Sequence, residues 1–386
     1  MTCRACSSAL ALVEVISMGD MPLAGDFRPM GKKNALFPLA VDVCASCGLL
    51  QVRELPPLDV VFNDHYSYAS STVSSLVEHF RSYAELASRY STRRKLLEVG
   101  CNDGIFLKSL RQYGFDVVGI DASDNVAEMA RTSGLRVKTG IFNESTAKTL
   151  VSEHGPFDVI TCSNVFAHNP DVNGFLMGVS AALSESGEFW VEVHSAISLH
   201  ETLQWDCFYH EHCFYWTPDA LVRALGRHGF YPISVQAIPM HGGGIRARFS
   251  RREASDCVNH EKLRVEDWQA FYQRAVRSRD VLADSVKRLG IEYAYGAAGR
   301  AVTLINWANL SLAYVVDGSP LRAGKVIPNT NIPIVSESEF CGRPLTSDWC
   351  LVSAHNYVDS IAAKVRNWFP YDDVKFVTPL PRVTIQ

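Results

Sequence analysis

The stretch that decides the fold is KLLEVGCNDG at residues 95–104, which continues as IFLKSL at 105–110. Apolar residues at 96, 97 and 99 predict a short buried strand, and glycines at 100 and 104 predict a tight loop leading into a helix. The loop lacks the G-x-G-x-x-G spacing of dinucleotide folds. The carboxylate of Glu98 would repel a pyrophosphate and attract an ammonium group. Gly100 lets the backbone approach such a ligand closely.

The segments after this loop extend the same pattern of alternating strands and helices. VVGID at 117–121, FDVITCSN at 157–164 and GEFWVEVH at 187–194 have the apolar character of buried strands, with helical patterns between them. This alternation predicts a mostly parallel α/β sheet. Asp121 ends its strand 21 residues after Gly100, where a carboxylate can accept both hydroxyls of a ribose. We therefore predict an S-adenosylmethionine (SAM) site at Glu98, Gly100, Asn102, Gly104, Asp121 and Asn164; the alternative is an α/β domain with incidental acids at its strand ends.

Four cysteines form two C-x2-C pairs near the N-terminus, CRAC at 3–6 and CASC at 44–47. Zinc in structural sites takes four ligands in a tetrahedron, and each pair can direct two thiolates at one ion. Cys3, Cys6, Cys44 and Cys47 therefore predict a structural zinc site in a turn-rich segment with few strands. The alternative is four unrelated buried cysteines.

Bulk composition excludes several classes of protein. The chain has 386 residues, of which 47% are hydrophobic and 20% charged, as expected for a globular protein of two or three domains. A net charge of -4 argues against a nucleic-acid-binding surface. No long apolar run predicts a membrane span, and no secretory signal is visible. Eleven cysteines are too dilute for a disulfide scaffold, so we expect a reducing cytoplasm.

The C-terminal third contains a long helix and a second α/β unit. Residues 253–290 are highly charged, and their apolar residues recur at helical spacing, which predicts one amphipathic helix between two domains. Strand and helix signals then return in YAYGAAGRAVTLIN at 293–306, LAYVVDGSP at 312–320 and WCLVSAHNY at 349–357. We expect a zinc-binding module at 1–65, a Rossmann-like SAM methyltransferase domain at 66–252, and a connecting helix with a Rossmann-like α/β domain at 253–386.

The run FYHEHCFYW at 208–216 is open to three interpretations: a metal site, a proton-transfer site, or a hydrogen-bonded aromatic core. H-E-H does not match the helical H-E-x-x-H of zinc proteases. On a strand, His210 and His212 would point to opposite faces, whereas in a loop they could share an ion.

Taken in order, these motifs resemble the SAM-dependent sugar C-methyltransferases of deoxysugar and antibiotic biosynthesis, which act on nucleotide-linked 4-keto-deoxysugars. The likeness runs nearly end to end. It is carried by the cysteine module, YSYASS at 66–71, the Glu98 loop, NVFAH at 164–168, YHEH at 209–212, HGGGIR at 241–246 and the C-terminal unit.

The resemblance implies residue roles and a partner. His212 is expected to be the catalytic base, helped by Tyr209 and Glu211, with His168 and either Tyr66 or Tyr68 in the same pocket. A dTDP-linked 4-ketosugar, methylated at C3, would lie between the central and C-terminal domains. The residues expected to contact it are Asn164, His241, Arg246, Arg300 and Asp317. The chain departs from the family at two positions. Arg300 stands where the family often has lysine, and its positive charge could still clamp a diphosphate. His355 stands where the family often has tryptophan, which puts the exact substrate contacts in doubt.

Two other functions fit parts of the chain. GAAGR at 296–300 follows a strand, and Asp317 lies 18 residues after Gly299, which echoes a dinucleotide half-fold. NADPH bound there could reduce the sugar ketone, as the main or a second activity, although the middle glycine of the motif is missing. The second of these functions is non-enzymatic: a degenerate SAM fold that acts only as a scaffold. A SAM titration would distinguish such a scaffold from an enzyme that binds SAM.

Overall fold

The computed structural model describes residues 2–9, 11–61, 69–92, 94–253, 263–342, 344–345 and 347–386. These residues form three β-sheets of four, seven and six strands. Among the described residues, no helix is both long and apolar enough to cross a bilayer. The predicted domain boundaries after residues 65 and 252 stay predictions, since residues 62–68 and 254–262 lie outside the described chain.

The N-terminal module contains an antiparallel sheet, so the expectation of few strands was wrong. Its elements are β1 (Leu12–Pro22), β2 (Leu36–Cys44), β3 (Leu50–Val52) and the short helix α1 (Leu58–Val61). The register of β1 shifts between Glu14 and Ile16 and again between Ser17 and Asp20. Such irregularities break the two-residue alternation by which strands are recognised, and Pro38 inside β2 further weakens the signal.

The central domain has the predicted α/β architecture. Its first elements are α2 (Ser74–Tyr90), β4 (Lys95–Val99), α3 (Ile105–Gln112), β5 (Asp116–Asp121), α4 (Asp124–Thr132), β6 (Val137–Thr139) and α5 (Glu144–His154). They are followed by β7 (Phe157–Ser163), α6 (Val172–Ala182), β8 (Leu183–His194), α7 (Ala196–Glu201), β9 (Phe214–Tyr215), α8 (Pro218–Gly226), β10 (Tyr231–Ile238) and β11 (Gly244–Ser250). The sheet order is β10-β11-β8-β7-β4-β5-β6; β8, β7, β4, β5 and β6 are parallel, and β11 and β10 are antiparallel.

The two-residue strand β9 belongs to the central segment of the sequence but is the fourth strand of the N-terminal module's sheet. It pairs antiparallel with β3, Leu50 opposite Tyr215 and Gln51 opposite Phe214. The Val52 amide also donates to the Cys213 carbonyl at 2.9 Å. The FYHEHCFYW run therefore lies where the module meets the central domain.

The C-terminal domain is a second α/β unit behind a long helix. Its elements are α9 (Val265–Leu289), β12 (Tyr293–Tyr295), α10 (Gly299–Trp307), β13 (Tyr314–Asp317), β14 (Ile334–Ser336), α11 (Glu337–Cys341), β15 (Trp349–Val352), α12 (Val358–Trp368), β16 (Lys375–Thr378) and β17 (Thr384–Ile385). The sheet order is β14-β13-β12-β15-β16-β17, and its strands are parallel except β17. The amphipathic helix predicted over 253–290 is confirmed for 265–289.

One apolar core joins the module, the central domain and the C-terminal domain. It contains Val41 of β2, Phe208 of the aromatic run, Trp268 and Phe271 of α9, and Leu351 of β15, all buried. The run also contributes Phe214 and Trp216 to a second core, which lies against the seven-stranded sheet. The run is therefore packed against all three units of the chain.

Candidate active site

The loop after β4 is shaped for close approach of a ligand. Gly100 has φ +71°, and a Cβ atom there would lie 2.1 Å from Val165 Cγ2. Its amide donates to the Ile120 carbonyl at 2.7 Å, which ties the loop to β5. Gly104, at φ +77°, is equally closed to a side chain, since a Cβ would lie 2.2 Å from Leu135 Cδ1. Both glycines are therefore required by the backbone and by its neighbours.

Buried carboxylates line this loop. Glu98 is 3% exposed and Asp103 is 2% exposed. Within the described part of the chain, Glu98 Oε2 and Asp103 Oδ1 have no hydrogen-bond partner. Burial, and then the neighbouring Asp121 and Asp103, raise the pKa of Glu98 well above its usual value. A cationic ligand would offset this cost, and SAM carries both an ammonium and a sulfonium charge, so the residues fit SAM.

Asp121 lies at the end of β5 and faces the loop. Its Oδ2 accepts a hydrogen bond from the Asn102 amide at 2.8 Å, and its Oδ1 accepts one from the Ser123 amide at 2.9 Å. Each carboxylate oxygen can accept a second bond, so the ribose diol of SAM can still be bound there. Asn102, at φ +50°, also accepts from the Ser70 amide at 2.9 Å.

Asn164 joins the same site from β7. It follows the strand at φ +57°, and its amide donates to the Glu192 carbonyl at 2.8 Å. The next residue, Val165, packs over Gly100. The structure thus brings together the six residues that the sequence predicted for the cofactor.

Replacing Asp121 by alanine should weaken SAM binding by about 1–3 kcal/mol, because the ribose hydroxyls lose a charged acceptor. Isothermal calorimetry would measure the affinity. Asp116→Ala is the matched control, since Asp116 lies at the other end of β5 in an exposed ion pair with Arg136. Equal SAM affinities for Asp121→Ala and the wild type would remove Asp121 from the site.

The aromatic run places a histidine and a tyrosine in contact. The Tyr209 hydroxyl and His212 Nε2 lie 2.9 Å apart, and the two ring centroids lie 4.2 Å apart. Burial raises the pKa of Tyr209 well above its usual value, so the phenol stays protonated at neutral pH. The ring of His168 packs against His212 at 4.8 Å, and burial lowers the pKa of His168 to about 4. Because His168 is neutral, His212 can take up a proton without a second cation beside it.

The other two polar residues of the run face the N-terminal module. Glu211 Oε1 accepts a hydrogen bond from the Gly25 amide at 2.7 Å, and burial raises the pKa of Glu211. His210 is 1% exposed; its Nε2 lies 3.2 Å from the Pro38 carbonyl oxygen and its ring packs on Phe37. Residues 210 and 211 form a turn, so His210 and His212 face different surroundings.

Within the described residues, no cluster of possible metal ligands includes His210 or His212. The side chains of His210 and His212 contact different residues, so the turn does not direct both histidines at one ion. His210 fits the aromatic-core interpretation, and His212 fits the proton-transfer interpretation.

Several residues predicted to contact substrate are engaged with other parts of the chain. Arg246 forms an ion pair with buried Glu192, its guanidinium lies 3.8 Å above the Tyr83 ring, and Glu192 also contacts His79. Burial would raise the pKa of Glu192, but His79 and Arg246 hold it below its usual value.

At the start of the second α/β unit, Asp317 accepts from the Ala297 amide at 2.6 Å, from the Ser319 amide, and from Arg322. Arg300 makes two bonds to Asp206, each 2.8 Å long. Tyr66, Tyr68 and the side chain of His241 lie outside the described residues.

Sequence reasoning missed Asp206, which lies three residues before Tyr209 and is fully buried. A signal was present: an acid within the aromatic WDCFY at 205–209 must find a cationic partner if it is buried. The sequence could not identify that partner, because Arg300 is 94 residues away.

The four cysteines of the module meet as predicted. Cys3 and Cys47 sulfurs lie 3.6 Å apart, as do those of Cys6 and Cys44, and all four lie within 4.8 Å of one another. Thiolates on one tetrahedral zinc stand roughly 3.8 Å apart, from a Zn–S distance of about 2.3 Å. Cys3, Cys44 and Cys47 are buried. The cluster therefore fits one structural zinc ion with four protein ligands.

Comparisons with known proteins agree with this organisation. Three family models match the chain: "Putative zinc binding domain" at residues 3–62, "Methyltransferase domain" at 74–235 and "C-methyltransferase C-terminal domain" at 239–381. The chain is similar to C-methyltransferase NovU of Streptomyces niveus, 30% identical over 98% of this chain and 95% of that protein.

More distant matches cover only part of the chain. A ubiquinone biosynthesis O-methyltransferase of Bordetella avium (strain 197N) is 33% identical over 28% of this chain and 44% of that protein. Among solved structures, the PH0226 protein of Pyrococcus horikoshii OT3 matches 50% of this chain and 100% of its own at a TM-score of 0.41 and 17% identity. The full-length match to NovU, the three family models, the SAM loop and the four-cysteine cluster together show that the chain belongs to the family of SAM-dependent C-methyltransferases with an N-terminal zinc-binding domain.

Proposed function

We propose that the chain methylates C3 of a nucleotide-linked 4-keto-deoxysugar, a dTDP sugar of antibiotic or deoxysugar biosynthesis, and that His212 removes the C3 proton. The supporting observation is one continuous set of contacts. Val165 packs over Gly100 of the SAM loop, the His168 amide donates to the Val165 carbonyl at 2.8 Å, and the His168 ring packs on His212. The base and the cofactor loop are therefore neighbours.

The chemistry needs a base of moderate strength. A C3 proton beside a C4 ketone is acidic enough for an imidazole with an ordinary pKa near ~6.5 to remove it. The C3–H bond breaks, the proton goes to the imidazole of His212, and the electron pair left on C3 forms the enolate with the C4 carbonyl. SAM, when bound, supplies an electrophilic methyl group for C3.

The chain's other residues would orient the base and limit charge near it. Tyr209 holds the ring of His212 by its hydroxyl. Glu211 anchors the turn to Gly25. The ring of His168 packs against His212 and is neutral at pH 7, so it places no positive charge beside the base. Contacts of the substrate with Asn164, His241, Arg246, Arg300, Asp317 and either Tyr66 or Tyr68 stay predictions, as does its place between the central and C-terminal domains.

Ketoreduction is not part of this proposal. It would need NADPH at the loop 296–300, with Asp317 receiving the ribose. Asp317 is 5% exposed, and its Oδ1 already accepts from both the Ser319 amide and Arg322, while its Oδ2 accepts from the Ala297 amide. Unlike Asp121, with one amide on each oxygen, it does not have one acceptor position left on each oxygen for a ribose diol. No other contact among the described residues favours a nicotinamide cofactor.

The test is a screen of nucleotide-linked 4-ketosugars with SAM, each with and without NADPH, followed by mass spectrometry. We expect a product one methylene unit heavier, formed without NADPH, whose methyl group is on carbon when examined by NMR. His212→Asn provides the matched control. A methyl group found on oxygen, or no methylated ketosugar with a protein that binds SAM, would contradict the proposal.

A further inference from the structure

Asp206 connects the central domain to the C-terminal domain immediately before the catalytic turn. It is 0% exposed and lies in the short 3-10 turn Trp205–Cys207, three residues ahead of Tyr209. Arg300, in the first turn of α10, donates to both of its carboxylate oxygens at 2.8 Å. His355 Nε2 lies 3.0 Å from Asp206 Oδ2. The carboxylate is therefore gripped by two residues of the other domain.

Side-chain hydroxyl groups also form hydrogen bonds with the backbone of residues 207, 208 and 209. The Thr303 hydroxyl donates to the Phe208 carbonyl at 3.0 Å. The Tyr215 hydroxyl donates to the Cys207 carbonyl at 3.0 Å and accepts from the Tyr209 amide at 3.2 Å. Each of the four residues 206–209 thus has a hydrogen-bond partner, and the partners of Asp206 and Phe208 lie on α10.

Arg300 and Thr303 are three residues apart on α10, so they share one helix face. The same end of the helix reaches the catalytic tyrosine, because a Cβ atom on Gly299 would lie 3.7 Å from Tyr209 Cζ. A rotation of α10 would therefore move Asp206, Phe208 and the Tyr209 ring together.

Domain cohesion alone does not explain this arrangement. Burial would raise the pKa of Asp206, but Arg300 and His355 hold it well below its usual range, so the carboxylate is ionised. A buried ion pair adds little net stability compared with apolar side chains of similar volume. The two parallel hydrogen bonds between Arg300 and Asp206 do fix the orientation of the two side chains, which apolar packing would not.

We propose that Arg300 and Thr303 are positioning residues, through which the C-terminal domain sets the orientation of the Tyr209–His212 pair. This inference rests on the proposed function, in which that pair removes the substrate proton. It differs from the expectation that Arg300 clamps the diphosphate. A clamp acts on the KM for the sugar nucleotide, whereas a positioning residue acts on the rate of proton removal.

The variants are Arg300→Lys, which keeps the charge and loses the two-pronged bond, and Thr303→Val, which removes the hydroxyl at nearly constant volume. Thr303→Ser restores a hydroxyl. Asn306→Ala is the matched control on the same helix, because Asn306 bonds to Pro328 within the C-terminal domain. The measurements are C3 deuterium exchange in the ketosugar without SAM, and the histidine ring signals of 15N-labelled protein, with the His212 signal assigned through His212→Asn.

We expect Arg300→Lys and Thr303→Val to lower the maximal exchange rate by about 10- to 100-fold, the scale of a small misplacement of a catalytic group. The KM for the sugar nucleotide should change less than about twofold. The His212 ring signal should shift in both variants and return in Thr303→Ser, while the control matches the wild type.

A raised KM with an unchanged exchange rate would make Arg300 a substrate clamp and overturn the inference. An unchanged His212 signal in both variants would overturn it as well, and that readout needs no substrate. If the wild type exchanged no ketosugar proton, the proposed function would fail by itself, and the histidine signals would still decide whether α10 positions His212.

Discussion

Replacing His212 by asparagine should lower methyl transfer by about 10²–10⁴-fold, the usual contribution of a general base. The change removes basicity but little volume, so SAM and the sugar nucleotide should still bind. Deuterium exchange at C3 of the ketosugar, measured without SAM, should fall in parallel because it reports the same proton removal. Calorimetry with SAM would confirm that the cofactor site is intact.

His210→Asn is the matched control for this experiment. His210 is a neighbour of the same type, but it faces Pro38 and Phe37, so its loss should cost stability more than activity. Exchange at the wild-type rate in His212→Asn would make another residue the base, with His168 or a tyrosine next in line. If both reactions required an added metal, the metal interpretation of the run would return.

Removal of zinc should unfold the N-terminal module and abolish methyl transfer. Elemental analysis of folded protein washed with a weak chelator should find about one zinc per chain. Structural zinc contributes on the order of 10–16 kcal/mol in small zinc domains, so we expect the module to lose its fold without the ion. Activity depends on it because Glu211 is anchored to Gly25, and β9 is paired with β3.

Cys44→Ser should reproduce the effect of zinc removal, since Cys44 is 0% exposed and lies in the cluster. Cys341→Ser is the control, because Cys341 is exposed and lies on α11 of the C-terminal domain. Circular dichroism and C3 exchange would be measured together. A zinc-free protein with full activity, or disulfides between the four cysteines, would contradict the prediction.

Local patterns predicted the parts of the fold that are built from neighbouring residues. The strand and loop of 95–104 were recognisable because apolar residues at 96, 97 and 99 are followed by Gly100 and Gly104, two glycines that the backbone requires. The helix α9 was recognisable because Trp268, Phe271, Leu282 and Val286 recur on one face and are all buried. The zinc ligands were recognisable because C-x2-C spacing is itself the geometry of the site.

What the sequence did not predict depends on distant pairs or interrupted periods. Strand β1 was missed because its register shifts twice. Strand β9 has two residues, too few for any periodic signal, and its partner β3 lies in another part of the chain. The resemblance identified His212 and Tyr209, but only the folded chain shows Arg300 on Asp206 and Thr303 on Phe208, contacts that span 94 and 95 residues.

The pairing of β3 with β9 also has a consequence for biosynthesis. On the ribosome, Val52 emerges about 160 residues before Phe214, so the outer edge of β3 stays without its partner strand for roughly 10–30 s at ~5–20 residues per second. An exposed strand edge is a template for wrong pairing with another chain. We therefore expect the nascent chain to pass through an aggregation-prone interval that ends when residues 214–215 emerge. Grafting the first 61 residues onto a relative should succeed only if the matching 208–216 segment is transferred with them.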